Sequence, residues 1–431
     1  MKSRYVPPAW MPGTAAITLV LTLAPGSVRA QASGESEGDR LQAGAEIRIT
    51  WTDVVELVDA HPTVAAGRKQ VVAARAEVDA AGAIPNPSVE GATAYGQARD
   101  SSASRVEWGL SLSIPFDWLA RRGARIDAAG AEARATEAES EALRRDVLLQ
   151  LRLMFWNLAY EQDRVAALTA LKQETAALAT TVEKRVEKGE SRPVEATRVS
   201  IEAEKIAGEL AMARSVLKTR QAQLGLWLGV TGKKRIIAVA DLTKLPRPLS
   251  AETARAKVRG AHPAIRAAEA KVRALSSNVS TERRARIPSF SLRAFTGHEL
   301  DRTAYGVGLA VDFPLWNWNT GNIRKAEALL AVGRSRLDAQ RLALESSLIE
   351  AQAACQSGVA LAERYRDRIQ PSARSAAQTM ERTYQLGEAT LLEVLDARRT
   401  LLETRTQTLA TLAQAQAECS RLTVLAGEEL P

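Results

Sequence analysis

Arg105-Val106-Glu107-Trp108-Gly109-Leu110-Ser111-Leu112-Ser113-Ile114-Pro115-Phe116 is the stretch whose reading decides the fold. Every even position from Val106 to Phe116 is apolar, and the odd positions between are Glu, Gly, Ser or Pro. That period-two alternation marks a strand with one oily and one polar face. The pattern returns where Tyr305, Val307, Leu309, Val311 and Phe313 alternate with Ala304, Gly306, Gly308, Ala310 and Asp312. Each strand follows a partner, so two hairpins are expected: strands at about 87–97 and 104–116, then at about 288–298 and 303–314.

What surrounds the hairpins reads as long helix. From about residue 121 to 187 there is no proline, and Leu143, Val147, Leu151, Met154, Leu158, Val165, Leu168 and Leu171 recur at steps of three, four or seven. This is a coiled-coil seam on a helix roughly 100 Å long at 1.5 Å per residue. Lys188-Gly189-Glu190 breaks it. Pro193 then starts a returning helix, about 192–228, whose seam is Val199, Ile206, Leu210, Leu217, Leu224 and Leu228.

The plan then repeats. Ala261-His262-Pro263 echoes Ala60-His61-Pro62, Ile287-Pro288-Ser289 echoes Ile84-Pro85-Asn86, and Leu386-Gly387-Glu388 echoes Lys188-Gly189-Glu190. The offset stays near 200 residues, the mark of a tandem duplication. The first repeat spans 49–229 and the second 250–431, with long helices at about 321–386 and 390–426 and an irregular connection at 230–249.

The first thirty residues read as a cleaved secretory signal, with Lys2 and Arg4, an apolar core from Ala15 to Leu23, and Val28-Arg29-Ala30 before the cut. Residues 31–48 are Gly, Glu, Ser and Ala rich and read as a flexible lead-in. No other apolar run is long enough to span a membrane as a helix. The formal charge is +8. Basic and acidic residues alternate along helical stretches without forming a patch, which argues against nucleic-acid binding. Cys355 and Cys419, both on predicted helices in apolar company, read as two small buried hydrophobes, with a disulfide as the alternative that an oxidising compartment permits.

Four strands are too few to close a barrel, and an open edge in lipid leaves unpaired backbone groups at a cost of several kcal/mol each. In water, the row Val106, Trp108, Leu110, Leu112, Ile114 and the row Tyr305, Val307, Leu309, Val311 would form an exposed oily patch. Both difficulties disappear if identical chains pool their hairpins, with these rows facing lipid. Strands near ten residues match the tilted span of an outer-membrane barrel, and Trp118, Trp316 and Trp318 fall just past strand ends, where an interfacial aromatic belt belongs. Two chains would give 8 strands and a filled barrel, and three would give 12 and a wet one. The expected fold class is mostly α with a small β part: antiparallel coiled-coil helices form a periplasmic α-barrel, continuous with a shared transmembrane β-barrel of four strands per protomer. A soluble coiled-coil protein with a small capping sheet is the blander alternative.

This duplicated plan resembles the TolC family of outer-membrane efflux proteins over nearly the whole chain after the leader. The most specific segment is Tyr384-Gln385-Leu386-Gly387-Glu388-Ala389-Thr390-Leu391-Leu392-Glu393-Val394-Leu395-Asp396-Ala397, similar to the family's turn-and-return stretch at the periplasmic tip. The resemblance places Tyr384, Glu393 and Asp396 at the pore entrance, with Glu195 as the first-repeat counterpart of Glu393. An arginine of the family's gating network would fall at Ala389, which cannot replace it. Lys188, Gly189, Glu190, Leu386, Gly387 and Glu388 would mark the tip where partners dock. Leu119-Ala120-Arg121-Arg122-Gly123-Ala124-Arg125-Ile126 and Pro85-Asn86-Pro87 are closest to the CzcC-like branch serving heavy-metal pumps.

Glu393 and Asp396 lie three apart and share a helix face, so three-fold symmetry would stack them as acidic rings that favour cations. The other reading is a solvated acidic face. His61 and His262 each precede a proline at a helix start without a second ligand at metal spacing, so they read as caps. No catalytic, cofactor-binding or metal-binding constellation is present in the sequence, and an enzyme is not expected. The resemblance implies a homotrimeric passive duct in the outer membrane, coupled through a periplasmic adaptor to an inner-membrane pump of the RND type, exporting small solutes or metal ions. A polypeptide secretion duct is the alternative within transport, and a non-conducting periplasmic scaffold is the alternative outside it.

Overall fold

A computed structural model of the chain describes residues 46–97, 104–116, 118–230, 234–250, 252, 262–299 and 302–426. The expected leader and the lead-in up to residue 45 lie outside the described residues.

Long helices dominate, and among the described residues no helix is long and apolar enough to cross a membrane. Helix α1 (Trp51–Leu57) is opened by Thr50, whose side chain accepts from the Asp53 amide while the Asp53 carboxylate accepts from the Thr50 amide. Helix α2 (Pro62–Gly82) leads to strands β2 (Ser88–Gln97) and β3 (Ser104–Pro115). Helix α3 (Trp118–Glu187) then runs 70 residues without a break, about 105 Å at 1.5 Å per residue. It returns as α4 (Pro193–Trp227), with Pro193 in the first turn, where a missing N–H costs nothing.

The second repeat follows the same order: α5 (Pro263–Arg284), β5 (Ser289–Glu299), β6 (Arg302–Asp312), α6 (Thr320–Arg364), α7 (Gln370–Gln385) and α8 (Leu391–Leu425). One five-residue π turn, Tyr365–Ile369, joins α6 to α7. Its cause is Pro371, at the start of α7. A proline ring clashes with the carbonyl four residues back, and a wider turn there makes room for it.

Helix α3 is the spine, packed by α2, α4, α5 and α8. Nearest the hairpins its buried positions are Ala124, Ala131, Ala133 and Ala135, on a stretch packed by α2 and by α5, where Ala267, Ala270 and Ala274 are buried too. Small side chains let these backbones approach closely. Midway the buried set turns large. Leu151, Phe155, Leu158, Leu224, Leu348, Leu412 and Leu422 make one core with Trp51, Val54 and Val58. Val147, Leu168, Val199, Ile206 and Leu210 of the expected seams are buried as well.

Three expectations change here. Residues 46–48, read as the end of a flexible lead-in, belong to strand β1 (Glu46–Ile49), which pairs in parallel with β4 (Arg235–Ala238) inside the stretch read as irregular connection. Each is four residues with a buried apolar partner row, and the Gln162 amide finishes the edge by donating to the Ala238 carbonyl at 3.0 Å and accepting its N–H at 2.8 Å. Cys355 and Cys419 are bonded to each other and buried at 0% and 4% exposure. The second long helix carries the π turn that Pro371 imposes. His61 and His262 are caps: each imidazole Nδ1 accepts at 3.3 Å from the backbone amide two residues on.

Candidate functional site: the hairpin sheet and the helical tip

The two hairpins join into one antiparallel sheet in the order β2-β3-β5-β6. Among the described residues neither β2 nor β6 has a partner on its outer edge. Each edge therefore presents a row of N–H and C=O groups able to pair with another chain.

Register sorts the side chains into two faces. Tyr95 stands opposite Val106, Val89 opposite Leu112, Trp108 opposite His298, Ile114 opposite Leu292, and Leu292 opposite Leu309. Since side chains alternate, one face collects Val89, Tyr95, Val106, Trp108, Leu110, Leu112, Phe290, Leu292, Tyr305, Val307 and Leu309. All of these are exposed, from 38% at Leu112 to 87% at Tyr305, while Ile114 and Val311 are half-buried. So large an apolar surface on a lone chain signals a partner or a membrane. Past the strand ends, Trp316 and Trp318 are exposed and Trp118 is half-buried in the first turn of α3. The opposite face carries Glu90, Glu107, Gly109, Ser111, Ser113, Ser291, Arg293, Gly306, Gly308 and Asp312, and is mostly small or polar.

At the far end of the helices the two turns have the same construction. Gly189 has φ +75° and Gly387 φ +83°, both left-handed. The Glu190 amide donates to the Arg185 carbonyl at 2.8 Å and Gly189 to Val186 at 2.9 Å. Glu388 donates to Thr383 at 3.0 Å and Gly387 to Tyr384 at 3.1 Å. Each helix end thus closes in a Schellman motif, which needs a residue that tolerates the left-handed region. Lys188, Glu190, Leu386 and Glu388 are exposed beside these glycines.

The expected entrance residues take four different places. Glu393 is exposed, and its carboxylate accepts from the Thr390 amide at 2.7 Å and the Thr390 hydroxyl at 2.9 Å, closing a capping box at the start of α8. Those bonds hold its acid below the usual range. Glu195 is half-buried in the first turn of α4, which has no side-chain cap. Asp396 is exposed and lines a recess between α4 and α8 with Arg198, Glu202 and Arg399. There Arg399 donates to Glu202 at 3.0 Å, joining the two returning helices.

Tyr384 sits inside the tip. It is buried with Leu178, Val182, Val199, Leu391 and Val394 in the core of the tip. The Arg185 guanidinium lies 4.9 Å from its ring, and its buried hydroxyl has no hydrogen-bond partner among the described residues. Sequence reasoning missed Arg398. Its guanidinium donates to Glu381 at 2.5 Å and to the Glu174 carbonyl at 3.2 Å, tying α8 to α7 and α3. Its only signal was a basic residue next to a seam position.

The model of the family "Outer membrane efflux protein" matches residues 54–230 and 255–428, two stretches that begin about 200 residues apart. The chain is 27% identical to the cobalt-zinc-cadmium resistance protein CzcC of Cupriavidus metallidurans, over 81% of this chain and 83% of that one. It is 27% identical to the nickel-cobalt-cadmium resistance protein NccC of Alcaligenes xylosoxydans xylosoxydans, over 65% and 64%. Its fold is similar to the crystal structure of CusC, with a TM-score of 0.75 at 20% identity, covering 91% of this chain and 96% of CusC.

Proposed function

The chain belongs to the outer membrane efflux protein family, and on that premise we propose that three copies pool their sheets into one twelve-stranded barrel in the outer membrane, while their helices extend the tube through the periplasm as a passive exit duct. The observation that carries this reading is the four-stranded sheet with two open edges and one exposed oily face. Pairing β6 of one copy with β2 of the next removes every open edge and turns the oily face to lipid, which satisfies backbone and side chains together. The small, polar face then lines a wet lumen, as a barrel of this strand number allows.

Nothing in such a tube supplies energy or chemistry, so it works as a conduit rather than an enzyme, in a tripartite system with a periplasmic adaptor and an inner-membrane pump of the RND type. The exposed turns at Gly189 and Gly387, with Lys188, Glu190, Leu386 and Glu388, are the docking end in this reading. The cargo is metal ions, supported by the similarity to two metal-resistance proteins. Glu195, Glu393 and Asp396, repeated three-fold, give the entrance an acidic lining that suits cations.

Purified protein in detergent is expected to run as a trimer and to form channels in planar bilayers. A monomer that stays soluble without detergent and gives no conductance overturns the duct. Deletion of the gene is expected to sensitise cells to cobalt, zinc or cadmium. A deletion strain that tolerates these metals but fails to export a polypeptide overturns the cargo assignment.

A further inference from the structure

The lumen-side face of the sheet is built almost entirely from small or charged residues, with one exception. Successive rungs read Ala92, Gly109, Gly297, Ala304; then Glu90, Ser111, Phe295, Gly306; then Ser88, Ser113, Arg293, Gly308. Among the described residues Phe295 is the one large apolar side chain on this face, and it is 46% exposed. In the trimer it would occur three times at a single level of the bore.

The ring has a built seat. Gly306 is the direct cross-strand partner of Phe295. A Cβ placed on Gly306 would lie 2.7 Å from the Phe295 Cζ, 3.0 Å from Cε1 and 3.4 Å from Cε2. The phenyl ring therefore lies across the wall of the sheet on the bare backbone of β6, using the space a side chain would occupy. An aromatic laid over a cross-strand glycine also covers a backbone that glycine leaves exposed, so the seat favours the flat position. Gly306 is not in the left-handed region, so a larger residue there meets no backbone penalty. The three atoms it meets first all belong to the ring. The ring is the free end of a side chain with two torsions, so it yields before the strand does, and the open side is the lumen.

We propose that Phe295 and Gly306 form a wall-and-seat pair that sets the bore of the outer-membrane barrel: glycine at 306 keeps three phenyl rings flat, and any side chain at 306 lifts them into the path of the solute. This rests on the trimeric duct proposed above and adds a residue pair that limits which solutes pass.

The test is single-channel conductance of the purified trimer in planar bilayers. Gly306→Val is expected to lower conductance, and adding Phe295→Ala to it is expected to restore the wild-type value. Gly308→Val is the control, since a Cβ on Gly308 has no atom within 4 Å and displaces nothing; its loss is expected to be the smaller. A second measurement uses Phe295→Cys, whose native cysteines are already bonded to each other. A charged thiol reagent is expected to cut its conductance and leave Val307→Cys unchanged. If Gly306→Val conducts like wild type, or the double variant stays as low as Gly306→Val alone, the pair does not set the bore. If the reagent leaves Phe295→Cys unchanged, the ring does not face the lumen. A wild-type protein without conductance overturns the duct itself, a different outcome from either.

Discussion

Cys355 of α6 and Cys419 of α8 are joined by a disulfide in the middle of the helical body, across 64 residues that include the turn at Gly387. The bond staples the second repeat only. The first repeat has no cysteine and relies there on Phe155, Trp156 and Leu224.

Closing a loop of that length restricts the unfolded chain by roughly 4 kcal/mol in the loop-entropy model, and removing native disulfides commonly costs about 2–5 kcal/mol. The Cys355→Ala/Cys419→Ala variant is therefore expected to melt at lower temperature while still assembling. Because both residues are buried, a mild reductant is expected to leave the folded wild type intact. Melting followed by circular dichroism with and without reductant checks both statements.

His262 caps α5 through Nδ1, which accepts the Ala264 amide. Burial, with the nearby Arg145 charge, lowers its pKa from the ordinary 6.5. The unfolded chain then binds this proton more readily than the folded one, so stability rises with pH through that window. Acidification below pH 6.5 is expected to erode the start of α5. His262→Asn keeps a cap that does not titrate there and is expected to flatten the acid side of the stability profile, measured as melting temperature against pH.

The parts legible in the sequence were those with local periodicity. Trp108, Leu110 and Leu112 announce their face by alternation alone, and the Gly189 and Gly387 turns announce themselves by breaking long seams. What stayed hidden depends on distant partners. Strand β1 is four residues whose partner lies nearly the whole first repeat away, so Ile47 and Ile49 carry too little pattern to be seen. Sequence distance between Cys355 and Cys419 says nothing of their distance in space. Pro371 is visible in the sequence, but a proline inside a helical pattern can end the helix or widen one turn, and only the structure shows the π turn. The tip position of Tyr384 is legible by resemblance, but its burial against Leu178, Val182 and Val199 depends on partners about 200 residues away. Phe295 had a signal: it breaks the parity set by Phe290 and Leu292.

The two faces of the sheet are expected to respond oppositely to charge. Leu110→Arg or Val307→Arg places a cation on the oily face, at a cost of about 2–4 kcal/mol near a bilayer midplane. Ser111→Arg, one residue away on the other face, meets water. The trimer fraction on semi-native gels is expected to fall for the first two variants and to hold for the third. Equal loss in all three would refute the assignment of faces.

Gly189 and Gly387 hold their turns at φ +75° and +83°. Alanine at either position is expected to cost about 1–2 kcal/mol from steric strain in the left-handed region, and asparagine less. The loss is local, so hydrogen exchange at amides 185–190 or 383–388 is expected to quicken while amides beside Cys355 keep their protection.

Tyr384 separates a gate from a core residue. If its hydroxyl latched the entrance, Tyr384→Phe would release that latch and raise conductance. The hydroxyl is buried without a partner among the described residues, and an unsatisfied buried polar group costs about 1–3 kcal/mol. Tyr384→Phe is therefore expected to leave conductance unchanged and to raise the melting temperature slightly. Tyr384→Ala also removes the ring that fills the space between Val182, Val199 and Val394. Emptying a buried aromatic site costs about 3–5 kcal/mol, and the tip is expected to loosen. Conductance and melting of the two variants, taken together, decide the role: a Phe variant that opens the channel at unchanged stability would make Tyr384 part of the entrance after all.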